Sequence, residues 1–275
     1  EQRLSADIIN VNASSSSISK GETLLDTAKN IEALQVDLIV MRHSAAGAPN
    51  FLASRLKSGV INAGDGAHSH PTQALLDLFT MREKKGSIKG LNVAIVGDIL
   101  HSRVARSDLW GLLSLGANVT LAGPATLVPR EFAKIDRVRV CHNMCEAIEG
   151  ADVINLLRIQ HERQRAGFFP TINEYSAVFG LNKETLKYVK PDALIMHPGP
   201  INRGVELDSS IADGDQSDRA RNVVSIEILR QFGLLSPEQI AAELADLAAR
   251  PNTNWRKFVV GEIRPAFELK LERSW

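Results

Sequence analysis

Arginine and histidine recur where short apolar runs of the chain come to an end. A run ending at Met41 is followed by Arg42-His43, and one ending at Asn62 opens into Gly64-Asp65-Gly66-Ala67-His68-Ser69-His70-Pro71-Thr72-Gln73. A third gives Gly97-Asp98-Ile99-Leu100-His101-Ser102-Arg103, a fourth Arg158-Ile159-Gln160-His161-Glu162-Arg163, and a fifth His197-Pro198-Gly199-Pro200. Guanidinium groups offer paired donors to carboxylates and phosphates. Imidazole can donate to an oxyanion or move a proton. Gathered beyond strand ends, such groups would hold more than one anionic moiety and stabilise charge developing on an acyl or phosphoryl centre. One arginine after a strand is ordinarily a solvated loop residue. Recurrence at several ends points instead to a pocket.

Local cations are needed because the chain as a whole is neutral. Lys+Arg and Asp+Glu balance at 32 each, so no global field recruits nucleic acid or an acidic membrane face. Apolar content of 44% with 23% charged residues is ordinary globular composition. No apolar run approaches the roughly 20 residues of a membrane-spanning helix, and nothing reads as a signal peptide. Cys141 and Cys145, with His142 between them, are too few for a structural metal site and read as reduced thiols.

The elements that must position these groups alternate in type. Near-continuous apolar, β-branched runs at 7–11, 37–41, 59–62, 91–96, 117–121, 152–157 and 193–196 suit strands of parallel sheets buried on both faces. Leu24, Leu25, Ala28, Ile31 and Leu34 follow helical spacing, and Ser19 with Glu22 fits an S-x-x-E capping box that starts this helix near Lys20. Further helices are expected over 71–81 and 104–115. This alternation predicts an α/β fold of two doubly wound lobes with parallel sheets and a ligand cleft between them.

The polar Lys84-Lys85-Gly86-Ser87 stretch marks the boundary, giving lobes over 1–85 and 86–218 and a divergent helix and strand segment over 219–275. In that tail, Ser236-Pro237-Glu238-Gln239 reads as a helix start and 257–261 as a strand, which would complete the first lobe's sheet if the ends were permuted. Gly97 follows a strand as in a nucleotide-binding turn, but no G-x-G-x-x-G follows, which argues against a dinucleotide cofactor.

Ser16 to Glu22, Met41-Arg42-His43, Gly64-Asp65-Gly66, His70-Pro71-Thr72-Gln73, Arg158-x-Gln160-x-Glu162-Arg163 and His197-Pro198-Gly199-Pro200 together resemble the aspartate carbamoyltransferase catalytic chain, from about Leu4 to about Ser217. The resemblance implies transfer of the carbamoyl group from carbamoyl phosphate to the amino group of L-aspartate, an early step of pyrimidine biosynthesis in the cytoplasm. It implies a catalytic set of Arg42, His70 and Lys20, with Arg42 and His70 on the carbamoyl phosphate oxygens. Gln73 and the backbone carbonyls of Pro198 and Gly199 would hold the carbamoyl NH2 group. Arg103, Arg158 and Gln160 would grip the two aspartate carboxylates. Ser16 and Lys20 would lie on a loop that reaches a neighbouring subunit, which implies a homotrimer with shared active sites. A regulatory chain or a dihydroorotase are further partners the resemblance allows, and no metal or organic cofactor is implied. His68 and His101 read as loop or supporting residues and His197 as structural.

The family's Ser-Thr-Arg-Thr-Arg signature, which cradles the phosphate at a helix N-terminus, does not occur in these residues. Gly261-Glu262-Ile263-Arg264-Pro265-Ala266 would stand in its place in a permuted chain. The alternative expectation is therefore a catalytically impaired homologue acting as an assembly partner or scaffold. A carbamoyltransferase for a different amine is a further reading, against which Arg158-x-Gln160 argues.

Overall fold

The structure is a computed structural model that describes residues 7–11, 21–159 and 171–212, and the backbone of 223–224. It divides into two compact units, with the break between Gly66 and Ala67.

In the first unit, helix α1 (Leu24–Glu32) leads to strand β1 (Leu38–His43), helix α2 (Ala48–Ala53) and strand β2 (Gly59–Asp65). The two strands pair in parallel, Leu38 opposite Gly59 and Val40 opposite Ile61. Ala28, Met41, Ala48, Leu52 and Val60 form the core beneath them. The cap of α1 is Thr23, whose side chain accepts from the Asp26 amide, and not the Ser19–Glu22 box expected near Lys20. Glu22 instead accepts from the Thr27 hydroxyl at 2.9 Å and the Asn30 amide at 2.6 Å. Residues 7–11, expected as a strand, form none. Ile9 and Val11 are 56% and 50% exposed, and a β-branched run becomes a strand only where a ladder and an apolar face await it.

The second unit carries a six-stranded parallel sheet. Its strands are β3 (Asn92–Val96), β4 (Asn118–Ala122), β5 (Val138–Cys141), β6 (Val153–Leu156), β7 (Leu194–Met196) and β8 (Val223–Val224). The spatial order is β5-β4-β3-β6-β7-β8, so the direction of progression reverses between β3 and β6. That is the doubly wound arrangement, and its switch point is where such sheets place ligands. Helices α3 (Pro71–Lys85), α4 (Arg103–Ser114), α5 (Met144–Ile148), α6 (Ile172–Phe179) and α7 (Ser209–Ala212) belong to this unit.

Helix α3 runs four residues beyond its expected end at 81. Arg82, Lys84 and Lys85 occupy its last turn, where cations suit the helix dipole, and Gly86 at φ 77° ends it. The stretch read as an interlobe loop is therefore half helix. Although 1–85 is expected as one lobe, α3 packs on α4 of the second unit. A Cβ on Gly111 of α4 would lie 2.5 Å from the Leu78 Cδ1 of α3, so the missing side chain permits that approach. Strand β5 had no counterpart in the sequence reading: Val-Arg-Val-Cys is a short edge strand with Arg139 exposed. The expected helix and strand within 225–275, and their place in the first lobe, lie outside the described residues.

Candidate active site

Three of the polar clusters sit at the carboxyl ends of adjacent strands. After β3, Gly97 at φ 135° turns the chain so closely past β6 that a Cβ there would meet the Leu157 Cβ at 2.9 Å. Asp98, 3% exposed, then accepts from both the backbone amide and the Nδ1 of His101, each at 3.0 Å. This closes the loop and delivers Ser102 as the N-cap of α4, accepting from Ala105. Arg103 is the first residue of α4, and it is buried. A guanidinium at a helix N-terminus adds its charge to the positive end of the dipole. His101 is thus a loop-closing residue, as the sequence reading has it.

Arg158, half-buried, follows the end of β6, and His197 to Pro200 follow β7. His197 uses both ring nitrogens: Nδ1 accepts from the Gly199 amide at 2.8 Å, and Nε2 pairs with Glu206 Oε1 at 3.1 Å. Accepting at Nδ1 leaves the proton on Nε2, so the ring donates to Glu206. The same Glu206 oxygen accepts from the Asn202 amide at 3.0 Å, and the Asn202 side chain donates to the Ile159 carbonyl beyond β6. These bonds fix the Pro198-Gly199 segment, with Gly199 at φ 67°, against the end of the neighbouring strand. His197 is structural, as expected, and Glu206 is its unanticipated partner. Tyr175 lies on α6 with its hydroxyl acidity suppressed by burial first, and then by the charges of Glu206 and Asp98.

The His-Pro-Thr-Gln motif forms the first turn of α3. His70 is its N-cap and Pro71 its first residue. The His70 Nδ1 faces the Thr72 hydroxyl at 3.2 Å and the Gln73 amide at 3.4 Å, which leaves Nε2–H as the donor. Its backbone amide donates to the Ser107 hydroxyl of α4 at 2.8 Å, tying the two helix starts together. The Gln73 Nε2 donates to Asp77 at 3.0 Å, so its Oε1 is the end left to accept from a ligand. Behind it, Asn155 of β6 donates to Asp108 of α4 at 2.8 Å. Asp77 and Asp108 are 4% and 0% exposed and close enough to act on each other electrostatically. Burial pushes Asp77 up to about 7, with the Gln73 bond opposing it. Burial, and next the Asp77 charge, pushes Asp108 well above the usual carboxylate range.

In the first unit, Arg42 lies exposed on β1 at the register irregularity between Met41 and His43. Asp65 at the end of β2 accepts from the Gly47 amide at 2.6 Å and the Asn62 side chain at 3.0 Å, which shapes the Gly64-Asp65-Gly66 turn. His68 is exposed in the following loop. Ser16, Lys20 and Gln160 lie outside the described residues. Cys141 and Cys145 are free thiols, and the described residues contain no cluster of three or more metal-ligating side chains. Among them no helix is long and apolar enough to cross a membrane.

Residues 1–83 match the carbamoyl-P binding domain of aspartate/ornithine carbamoyltransferase, and residues 89–224 match its Asp/Orn binding domain. The aspartate carbamoyltransferase catalytic subunit of Geobacter sulfurreducens is 61% identical over 216 residues, covering 78% of this chain and 70% of the relative. The corresponding subunit of Halothermothrix orenii is 53% identical over 250 residues, covering 90% and 79%. Among solved structures, aspartate transcarbamoylase of Trypanosoma cruzi in complex with N-(phosphonacetyl)-L-aspartic acid superposes with a TM-score of 0.67 at 29% identity, over 81% of this chain and 70% of that one. Ornithine carbamoyltransferase of Pyrococcus furiosus superposes at 0.64 with 32% identity, over 77% and 70%. With both domains matched and the more similar relatives on the aspartate side, this chain belongs to the aspartate/ornithine carbamoyltransferase family, among the aspartate carbamoyltransferase catalytic chains.

Proposed function

We infer that this chain transfers the carbamoyl group of carbamoyl phosphate to the amino group of L-aspartate. The observation that carries the chemistry is the fixed first turn of α3, where the Thr72 hydroxyl and Gln73 amide orient the His70 ring through Nδ1 and Asp77 orients the Gln73 amide through Nε2.

The aspartate nitrogen attacks the carbamoyl carbon, the C–O bond to phosphate breaks, and the departing phosphate takes the amine proton. No side-chain base is then obligatory. Arg42 and the Nε2–H of His70 act on oxygens of carbamoyl phosphate and stabilise the oxyanion as the carbonyl is attacked. Gln73 Oε1 and the carbonyls of Pro198 and Gly199 accept from the carbamoyl NH2. Arg103, Arg158 and Gln160 take the two aspartate carboxylates, for which arginine's paired donors are suited. Lys20 and Ser16 complete the site of a neighbouring subunit in a homotrimer, and the reaction belongs to pyrimidine biosynthesis in the cytoplasm. A regulatory chain or dihydroorotase would be an additional partner of that assembly.

The test is formation of N-carbamoyl-L-aspartate and phosphate in equal amounts by the purified chain. Turnover with aspartate but not with ornithine is expected. No turnover above background at saturating substrates would contradict it. Light scattering on the same sample reads the trimer independently.

A further inference from the structure

The Asp77–Asp108 contact is not accounted for by the catalytic roles above. Two carboxyl groups, both almost wholly buried, stand between α3, α4 and β6, close enough for the charge of one to act on the other. One oxygen of each is engaged by an amide: Asp77 Oδ1 by Gln73 and Asp108 Oδ2 by Asn155. The other two, Asp77 Oδ2 and Asp108 Oδ1, have no hydrogen-bond donor among the described residues. Among the described residues the groups acting on the pair are Gln73, Asn155 and each other, and none of these is a cation. Two ionised carboxylates in such surroundings would lack both a hydrogen between them and a counter-charge, so a single shared proton satisfies the geometry.

We propose that Asp77 and Asp108 hold one proton between them and act as a positioning pair for Gln73, keeping its Nε2 turned inward and its Oε1 outward so that the site selects an acyl phosphate bearing an NH2 group. This rests on the function inferred above and deepens it. A glutamine amide can flip end for end at little steric cost, and only its partners decide which end faces the ligand. A carboxylate oxygen at Asp77 accepts and cannot donate, so it binds the Nε2 end alone. The proton on the pair lets Asp77 keep that acceptor role while Asp108 is satisfied by Asn155. A site built to accept from an NH2 group discriminates against an analogue that lacks it, because its acceptors are then buried without a donor.

The experiment compares binding of carbamoyl phosphate with binding of acetyl phosphate, which carries a methyl group in place of the NH2. It uses the full chain, Asp77→Leu, Asp108→Leu, Asp108→Asn and Gln73→Leu. In Asp77→Leu, carbamoyl phosphate should weaken by about tenfold or more while acetyl phosphate changes by less than about threefold. Asp108→Asn supplies the bridging hydrogen from an amide and should preserve the preference. Asp77→Leu should have no further effect on the preference in a Gln73→Leu background. If Asp77→Leu does not fold, Asp108→Leu should show the same selective loss. Equal weakening of both ligands would overturn the proposal, because that is the mark of a purely structural pair. A protonated-carboxyl band in the infrared spectrum at neutral pH, lost in Asp108→Asn, reads the shared proton without any ligand. Its absence in the parent chain would also overturn the proposal. A parent chain that shows the band but binds neither phosphate would sink the inferred function, and the selectivity role with it, while leaving the pair.

Discussion

Glu206 Oε1 receives the Nε2–H of His197 at 3.1 Å while also accepting from the Asn202 amide at 3.0 Å. The two side chains are 0% and 1% exposed, so neither can turn to water for a substitute. One carboxylate thus ties down both ends of the loop that carries Pro198 and Gly199. Glu206→Ala leaves the buried His197 donor and the half-buried Asn202 amide unpaired and should destabilise the fold by roughly 2–4 kcal/mol, read by urea denaturation. Glu206→Gln retains an accepting oxygen and should cost about 1 kcal/mol, with kcat reduced less than in Glu206→Ala. Equal losses in the two variants would contradict this reading of the bond.

Gly97 holds the ends of β3 and β6 close together. A side chain there faces a Leu157 Cβ at 2.9 Å and a backbone at φ 135° that L-residues rarely adopt. Gly97→Ala should cost about 2 kcal/mol or more of stability and lower kcat/KM, because Asp98 and Arg158 move with the strand ends. Wild-type-like melting would show that the approach is looser than these distances imply.

The carboxyl pair gives stability a definite pH slope. Burial raises the affinity of both groups for protons, so between the ordinary carboxylate range and about 7 the folded chain binds more protons than the unfolded chain. Stability from this pair is therefore fully present below about pH 4 and declines as pH rises toward 7, at up to about 1.4 kcal/mol per pH unit for each proton. Asp108→Asn removes part of that slope. The variant should gain stability relative to the parent at pH 8 compared with pH 5, measured by chemical denaturation at both. A gain that is the same at both values would contradict the assignment.

The sequence showed the strands best where burial on both faces left an unbroken apolar run, as at 92–96 and 153–156. It also placed Arg103, Arg158 and the Pro198-Gly199 segment correctly at strand ends, because a parallel sheet puts every such end on one side. It missed β5, whose four residues mix Arg139 with apolar neighbours at an edge. It placed the cap of α1 too early, since Ser19 and Glu22 match the capping pattern as well as Thr23 and Asp26 do. The acidic pair had a readable sign that went unused. Asp77 stands with Ala74, Leu78 and Met81 on the buried stripe of α3, and Asp108 lies beside Ala105, Leu109 and Leu112 on α4. An acid on an apolar stripe needs a partner, but which partner depends on how two helices pack, and no local pattern carries that information. Glu206 escaped notice similarly, nine residues beyond the histidine it serves.

The central claim is that the groups around α3 and the ends of β6 and β7 bind the two halves of one reacting complex. Calorimetric titration with N-(phosphonacetyl)-L-aspartate tests it most directly, since one molecule carries both the phosphonate and the dicarboxylate. The account predicts tight binding at one site per chain, weakened by about thirtyfold or more in His70→Ala and again in Arg158→Ala. Binding that is unchanged in either variant would contradict it.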